Sequence, residues 1–382
     1  MMRRYIILLA FVLVFFGIKN YALAFEDGDI QMHGFVSQGY LKSTEHNYLG
    51  DTKDGSYEFN EIGVSFAVPV TEDLNFGIQF FSRDIGEIGN NELIVDWAFL
   101  TYEWRDWLGF RAGKMKIPFG LYNRERDFDS NRTFILLPQS VYSEIERSNV
   151  IGFQGWSFFG YTPMGVMGDL DYELFAGTNA SEAPRGAPIE ITDITTTKYQ
   201  GGKLAWITPL KGFMISATDL ISEADLDFIN PAGGANEEGE VIINTMGVLS
   251  ARYEYDRFTF AAEYYKLNAD LKAEALGGKL PDDRKGWYGS ISWDIIDWLS
   301  LGAYYGDYEQ ESFFDNPGNQ SYPDYYSYQK DTAISVKFEI SKYWSIKLET
   351  HFMEGVNQID DDFTSNMEKD WNLYAVKTSL CF

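Results

Sequence analysis

Between residues 83 and 147 the sequence gathers charge of both signs at close spacing. Arg83 stands first, then Arg111, Lys114, Lys116, Arg124, Glu125, Arg126, Asp127, Asp129 and Arg132, and finally Glu144, Glu146 and Arg147. From 111 to 132 six of these are basic and three acidic, in a chain whose formal net charge is −26. Opposed charges in a narrow, weakly screened passage bias which ions enter it. These residues are therefore the candidates for a pore constriction and lumen, with a modest preference for anions. The alternative is that they are loop charges pairing among themselves.

Other chemistry is less well equipped. The three histidines, His33, His46 and His351, stand in no recognisable motif, and no G-x-S-x-G nucleophile elbow is present. A triad is defined by geometry, so a lipase- or protease-like outer-membrane enzyme stays an alternative, as does an adhesin or structural barrel. Glu223, Asp225, Asp227, Glu237, Glu238 and Glu240 form one acidic cluster and Asp360-Asp361-Asp362 a second. Carboxylates bind hard divalent cations, but the spacing fits no EF-hand loop, and a repelling, soluble surface is the simpler reading. No catalytic residue, metal or cofactor is assigned. The acidic balance argues against nucleic acid as a partner. A single cysteine, Cys381, excludes a disulfide framework.

What must position the charges is read from the pattern around them. Arg3 and Arg4, an apolar run from Tyr5 to Ile18, and Ala22-Leu23-Ala24 have the order of a secretory signal peptide. Residues 1–24 are assigned to it and 25–382 to one domain. Nothing later is an apolar stretch of the ~20 residues that a membrane helix needs. Instead, period-2 alternation recurs in segments of about ten residues. Ile62, Val64, Phe66 and Val68 alternate with Glu61, Gly63, Ser65 and Ala67; Ile334, Val336, Phe338 and Ile340 alternate with Ala333, Ser335, Lys337 and Glu339. One set suits lipid and the other a wet lumen, although a soluble sandwich alternates too.

Short turns and long polar loops take turns along the chain, as in membrane barrels. Strands are predicted near 29–41, 57–68, 74–84, 92–104, 107–116, 150–161, 169–178, 198–208, 212–222, 241–255, 258–268, 284–295, 298–309, 329–340, 343–355 and 370–382. The fold class expected is all-β: a transmembrane antiparallel β-barrel of about sixteen strands. Aromatics make up 17% of the chain and flank the short turns, as at Trp104-Arg105-Asp106-Trp107 and Tyr255-Asp256-Arg257-Phe258, which reads as an interfacial girdle. Arg83, Lys203, Arg252, Lys337 and Lys347 fall on the lumen parity, and so do Glu61, Asp96, Glu254, Glu263, Glu339 and Glu349.

The strand end Arg111-Ala112-Gly113-Lys114, the stretch Ile117-Pro118-Phe119-Gly120-Leu121-Tyr122-Asn123 and the segment Leu137-Pro138-Gln139-Ser140-Val141-Tyr142 resemble a group of sixteen-stranded bacterial porins, the phosphate-selective O/P-like and dicarboxylate-type porins. The likeness is sharp over about 107–145 and architectural elsewhere. It implies a Gram-negative outer membrane with its lipid and lipopolysaccharide, passive diffusion of small polar or charged solutes, a homotrimer, and a third external loop folded inward to narrow the pore. Phe134, Ile135, Leu136 and Leu137 fit such a loop, being apolar where an exposed loop is polar; a patch covered by a neighbouring subunit is the competing reading. The phosphate-selective relatives carry a strongly basic lumen, whereas the inward charges here are mixed, against phosphate selectivity. The terminal Phe382 on an alternating strand resembles the signal read by the outer-membrane barrel assembly machinery.

Overall fold

The computed structural model describes residues 30–382 apart from 87, 180–189, 230–233, 275–276, 317–318, 362 and 365. The expected signal peptide, residues 1–24, lies outside them. Sixteen strands follow one another: β1 (Gln31–Ser43), β2 (Phe59–Pro69), β3 (Leu74–Ile85), β4 (Ile94–Arg105), β5 (Leu108–Lys116), β6 (Gly152–Pro163), β7 (Asp169–Thr178), β8 (Glu190–Ile207), β9 (Phe213–Ile229), β10 (Asn236–Tyr255), β11 (Phe258–Ala273), β12 (Gly278–Ile296), β13 (Leu299–Gln310), β14 (Tyr328–Ser341), β15 (Trp344–Gly355) and β16 (Asp370–Cys381). Each pairs with its sequence neighbours, and β1 pairs antiparallel with β16, so the sheet is a closed barrel. Closure satisfies every edge, which a sheet in hydrocarbon requires.

The two faces of the wall settle what alternation alone left open. Along β14 to β16, Ile334, Leu348, Phe352, Tyr374, Val376 and Leu380 are exposed, while Asp331, Ser335, Lys337, Lys347, Glu349, His351 and Lys377 between them are buried. A soluble sandwich buries its apolar set. Here the apolar set is the uncovered one, the arrangement that lipid stabilises and water does not. Aromatics cluster at the short turns as expected. Trp104 meets Trp107 edge-on at 5.6 Å, and Phe258 stacks on Trp293 at 5.6 Å. Trp298, Tyr343 and Tyr255 are exposed on the same rim.

The seam is tight. Gly34 and Phe382 exchange backbone hydrogen bonds of 2.9 Å in both directions. The Phe382 ring lies where a Cβ on residue 34 would be, so a side chain there would have to push that ring aside.

Two expectations need correction. β8 to β12 run 16 to 20 residues, against 9 to 14 in the other strands, so parts of the predicted loops 179–197, 223–240 and 269–283 are ladder. Asp225 faces Glu240 and Asp227 faces Glu238 across β9 and β10. There the alternation is inverted: the acids Glu223, Asp225 and Asp227 share the outer face, while Ala224, Leu226 and Phe228 between them are buried. The Asp360–Asp362 cluster is the second case. Asp360 accepts from Gly50 N at 2.7 Å and Asp361 from Asn47 N at 2.9 Å, so these carboxylates pin the β1–β2 loop; Asp362 lies outside the described residues. Among the described residues no group of three or more potential ligands is arranged to hold a metal ion.

Candidate functional site

Residues 117–151, between β5 and β6, carry most of the predicted site. Its acids are enclosed by bases. Asp127 is paired with Lys116 at the end of β5 and with Arg147, and Lys116 also reaches Asp96 at 3.0 Å. Glu144 accepts from Arg126 Nη2 at 2.8 Å and from Arg83 on β3 at 3.0 Å. Asp129 lies 2.7 Å from Lys377 on β16, 3.0 Å from Arg132 and 3.7 Å from Lys347 on β15. Lys377 in turn holds Glu61 of β2 at 2.6 Å. Burial pushes the Asp127, Asp129 and Glu144 carboxyls up, but the adjoining cations outweigh it and hold all three well below the usual carboxylate range. Ion pairs this dry are favourable only when hydrogen bonds complete them. Arg126 meets that condition in part: its Nη2 also donates to the Tyr142 and Ser143 carbonyls, at 2.6 and 2.9 Å, while its buried Nη1 has no hydrogen-bond partner among the described residues.

Wall side chains then hold the segment by its backbone. Glu263 on β11 accepts from Leu121 N at 2.9 Å and from the Tyr142 and Tyr288 hydroxyls at 2.5 and 2.7 Å. Glu349 on β15 accepts from the amides of Ile135 and Leu136 at 2.8 and 2.9 Å. Lys203 on β8 donates to Gly120 O at 2.9 Å, and Lys347 to Asp129 O at 2.7 Å. Glu263, Glu349 and Lys377 are missing from the predicted site. Lumen parity marked the first two as inward charges, but their partners lie more than a hundred residues away in sequence.

The apolar run inside the segment is divided among three packing clusters. Leu137, with Ile117, Phe119, Val141 and Tyr142, packs on Phe153, Phe175, Tyr199 and Tyr288 of the wall. Ile135 and Leu136 join Leu41, Tyr48, Phe59 and Trp371. Phe134 sits on Tyr304 and Ala333. On β12 and β13 the wall is cut back to make room. A Cβ at Gly286 would collide with the Ser140 carbonyl, and one at Gly302 would come 2.8 Å from the Phe134 ring.

The remaining predicted residues are more open. Arg124 is exposed and lies 2.6 Å from Glu173 of β7, whose same oxygen meets Arg111 at 3.1 Å. The Arg111 guanidinium stacks 3.7 Å from the Phe159 ring. Glu125 is exposed, and Glu146 pairs with Arg284 of β12 at 2.9 Å. Lys114 does not join the others. It pairs across the ladder with Gln154, in line with the exposed Trp156 and Phe158, so it belongs to the apolar face. Alternation holds as far as Lys114 and breaks just after it, where Met115 and Lys116 are both buried, so proximity in sequence to Arg111 and Lys116 was misleading.

Among the described residues, the histidines form no pair with a serine, threonine or cysteine nucleophile. His351 lies 3.0 Å from Asp331 and 3.1 Å from Glu349, clasped between two acids. His46 Nε2 meets the Glu368 carbonyl at 2.7 Å.

Sixteen antiparallel strands, closed from first to last, define the porin-type barrel fold. Among solved structures the chain is similar to the outer-membrane channel DcaP of Acinetobacter baumannii: 12% identity, TM-score 0.59, covering 94% of this chain and 99% of that one. OmpF of Salmonella typhi, solved with daunomycin, matches at 14% identity and TM-score 0.59 over 94% and 99%. The anion-selective porin from Comamonas acidovorans matches at 11% and 0.57 over 92% and 99%. At such identities the likeness is one of fold. No known family model matches the chain, and no curated protein does.

Proposed function

We propose that this chain is a non-enzymatic outer-membrane channel through which small polar solutes diffuse passively, with the segment 117–151 folded inward as its constriction. The observation that carries the reading is the reach of that one segment. It bonds to wall residues on β2, β3, β7, β8, β11, β12, β15 and β16, around the ring, and does so on the polar face. Only a segment crossing the interior of a closed barrel meets strands on opposite sides at once. The inward face then borders water and the exposed apolar face borders lipid.

Selectivity follows from which charges are left over. Asp127, Asp129 and Glu144 are each consumed by two or more cations, whereas Arg124, although paired with Glu173, keeps its guanidinium accessible. We read this as a modest preference for anions, tempered by the exposed Glu125. Small carboxylates and inorganic anions fit such a passage better than cations do.

Planar bilayers under a potassium chloride gradient test it. The expected reversal potential has the sign of chloride preference and moves toward zero in Arg124→Glu. Cation selectivity in the unaltered protein would overturn the anion reading. Turnover of phospholipid or peptide substrates by the purified protein would overturn the non-enzymatic one.

A further inference from the structure

The polar face, which a wet passage would keep accessible, is dry on opposite sides of the ring. Glu61 on β2, Glu173 on β7, Glu263 on β11, Lys347 and Glu349 on β15 and Lys377 on β16 are each between 1% and 4% exposed. Charged side chains beside water stay exposed and are fully buried only when paired. What covers them is the segment 117–151. Besides the strands already described, it reaches four more. Its Phe128 ring meets Phe35 of β1 edge-on at 5.5 Å, and Phe134 meets Tyr304 of β13 in the same way at 5.1 Å. Thr218 of β9 donates to Pro118 O and Ser335 of β14 to Thr133 O, both at 2.9 Å. A loop that only narrows a pore lies against one side and leaves the facing wall wet. Here both sides are covered.

The segment has a tied base and a gripped lobe. At the base, Asn123 Nδ2 donates to the Ile117 and Val150 carbonyls at 3.1 and 3.0 Å, which joins the two ends of the segment. The lobe, residues 128–137, is held by wall side chains that grip its backbone. Lys347 donates to Asp129 O and Phe134 O at 2.7 and 3.1 Å, and Lys337 to Ser130 O at 2.7 Å. Glu349 accepts from the Ile135 and Leu136 amides. Hydrogen bonds to ionised groups are strong, yet these belong to no strand ladder. All of them can break while the barrel stays closed.

We propose that the segment is a gate shut at rest, not a fixed narrowing, and that it opens when the lobe 128–137 leaves the wall from β13 to β1, with Lys347 and Glu349 as its latch. The inference rests on the channel reading above and adds a closed state to it.

Single-channel recording of the full-length protein in planar bilayers, on the Cys381→Ser background, tests the gate. The pair Thr133→Cys and Ser335→Cys ties the lobe to β14 when oxidised. Openings are expected to be about tenfold rarer in the oxidised pair than after dithiothreitol. Lys347→Met removes two bonds to the lobe while Asp129 keeps Lys377 and Arg132. Its time spent open is expected to rise about fivefold, with an unchanged circular dichroism spectrum. Steady current from the unaltered protein, and equal current from the oxidised and reduced pair, would overturn the gate and leave the channel standing. No openings from the unaltered protein, the reduced pair or Lys347→Met would overturn the channel reading and the gate with it.

Discussion

Arg126 illustrates what a single residue does in this molecule. It is fully buried, donates through Nε and Nη2 to one Glu144 oxygen, and donates to two further carbonyls. Replacing it with alanine leaves Glu144 buried with only Arg83 and Arg147 near it. Breaking a buried pair of this kind costs about 3–5 kcal/mol. Arg126→Ala is therefore expected to lower the urea midpoint in detergent micelles and to make channel current noisier; an unchanged midpoint would contradict the role. Acid acts on the same network. The folded pKa values of Asp127, Asp129 and Glu144 are depressed below an unfolded value of ~4. Their contribution is thus full above pH ~5 and is lost as pH falls through ~4 toward those folded values. Thermal midpoints should be nearly equal at pH 7 and 5 and lower at pH 3, with a smaller drop in Asp127→Asn. A rise in stability at pH 3 would contradict the assignment.

Between strands and segment, fit is decided by glycine. Gly286→Ala places a methyl against the Ser140 carbonyl, backbone that has no free end to swing aside. It is expected to displace the β5–β6 segment and change single-channel conductance. Gly289→Ala, three residues on and facing open space, should leave conductance and midpoint unchanged; equal effects from both would sink this account of the packing. The elements themselves were largely readable. Ile334, Val336 and Phe338 announce β14 because lipid selects every second residue. The same logic fails where lipid ends. In the outer half of β9 the period-2 pattern is inverted, with Asp225 and Asp227 outward and Leu226 and Phe228 buried, so the cluster of acids reads as a loop although pairing with β10 makes it a strand. The site was legible as a charged segment but not as a wired one. Nothing local to Asp129 points to Lys377, or to Ile135 to Glu349. Lys114 shows the opposite failure, a charge included by sequence proximity that one residue of parity assigns to the other face.

At the scale of the whole molecule, the fold rests on one inversion: apolar side chains exposed on the outer face, polar side chains and ion pairs buried on the other. The ring closes through β1 and β16, so no strand edge is left to hydrocarbon. The most direct test is single-channel recording in planar bilayers on the Cys381→Ser background, with a cysteine at one position at a time and a charged, membrane-impermeant thiol reagent added. The account predicts stepwise current that changes on modification of Arg124→Cys and is unaffected at Leu348→Cys. Absence of conductance, or a response at Leu348→Cys without one at Arg124→Cys, would contradict it.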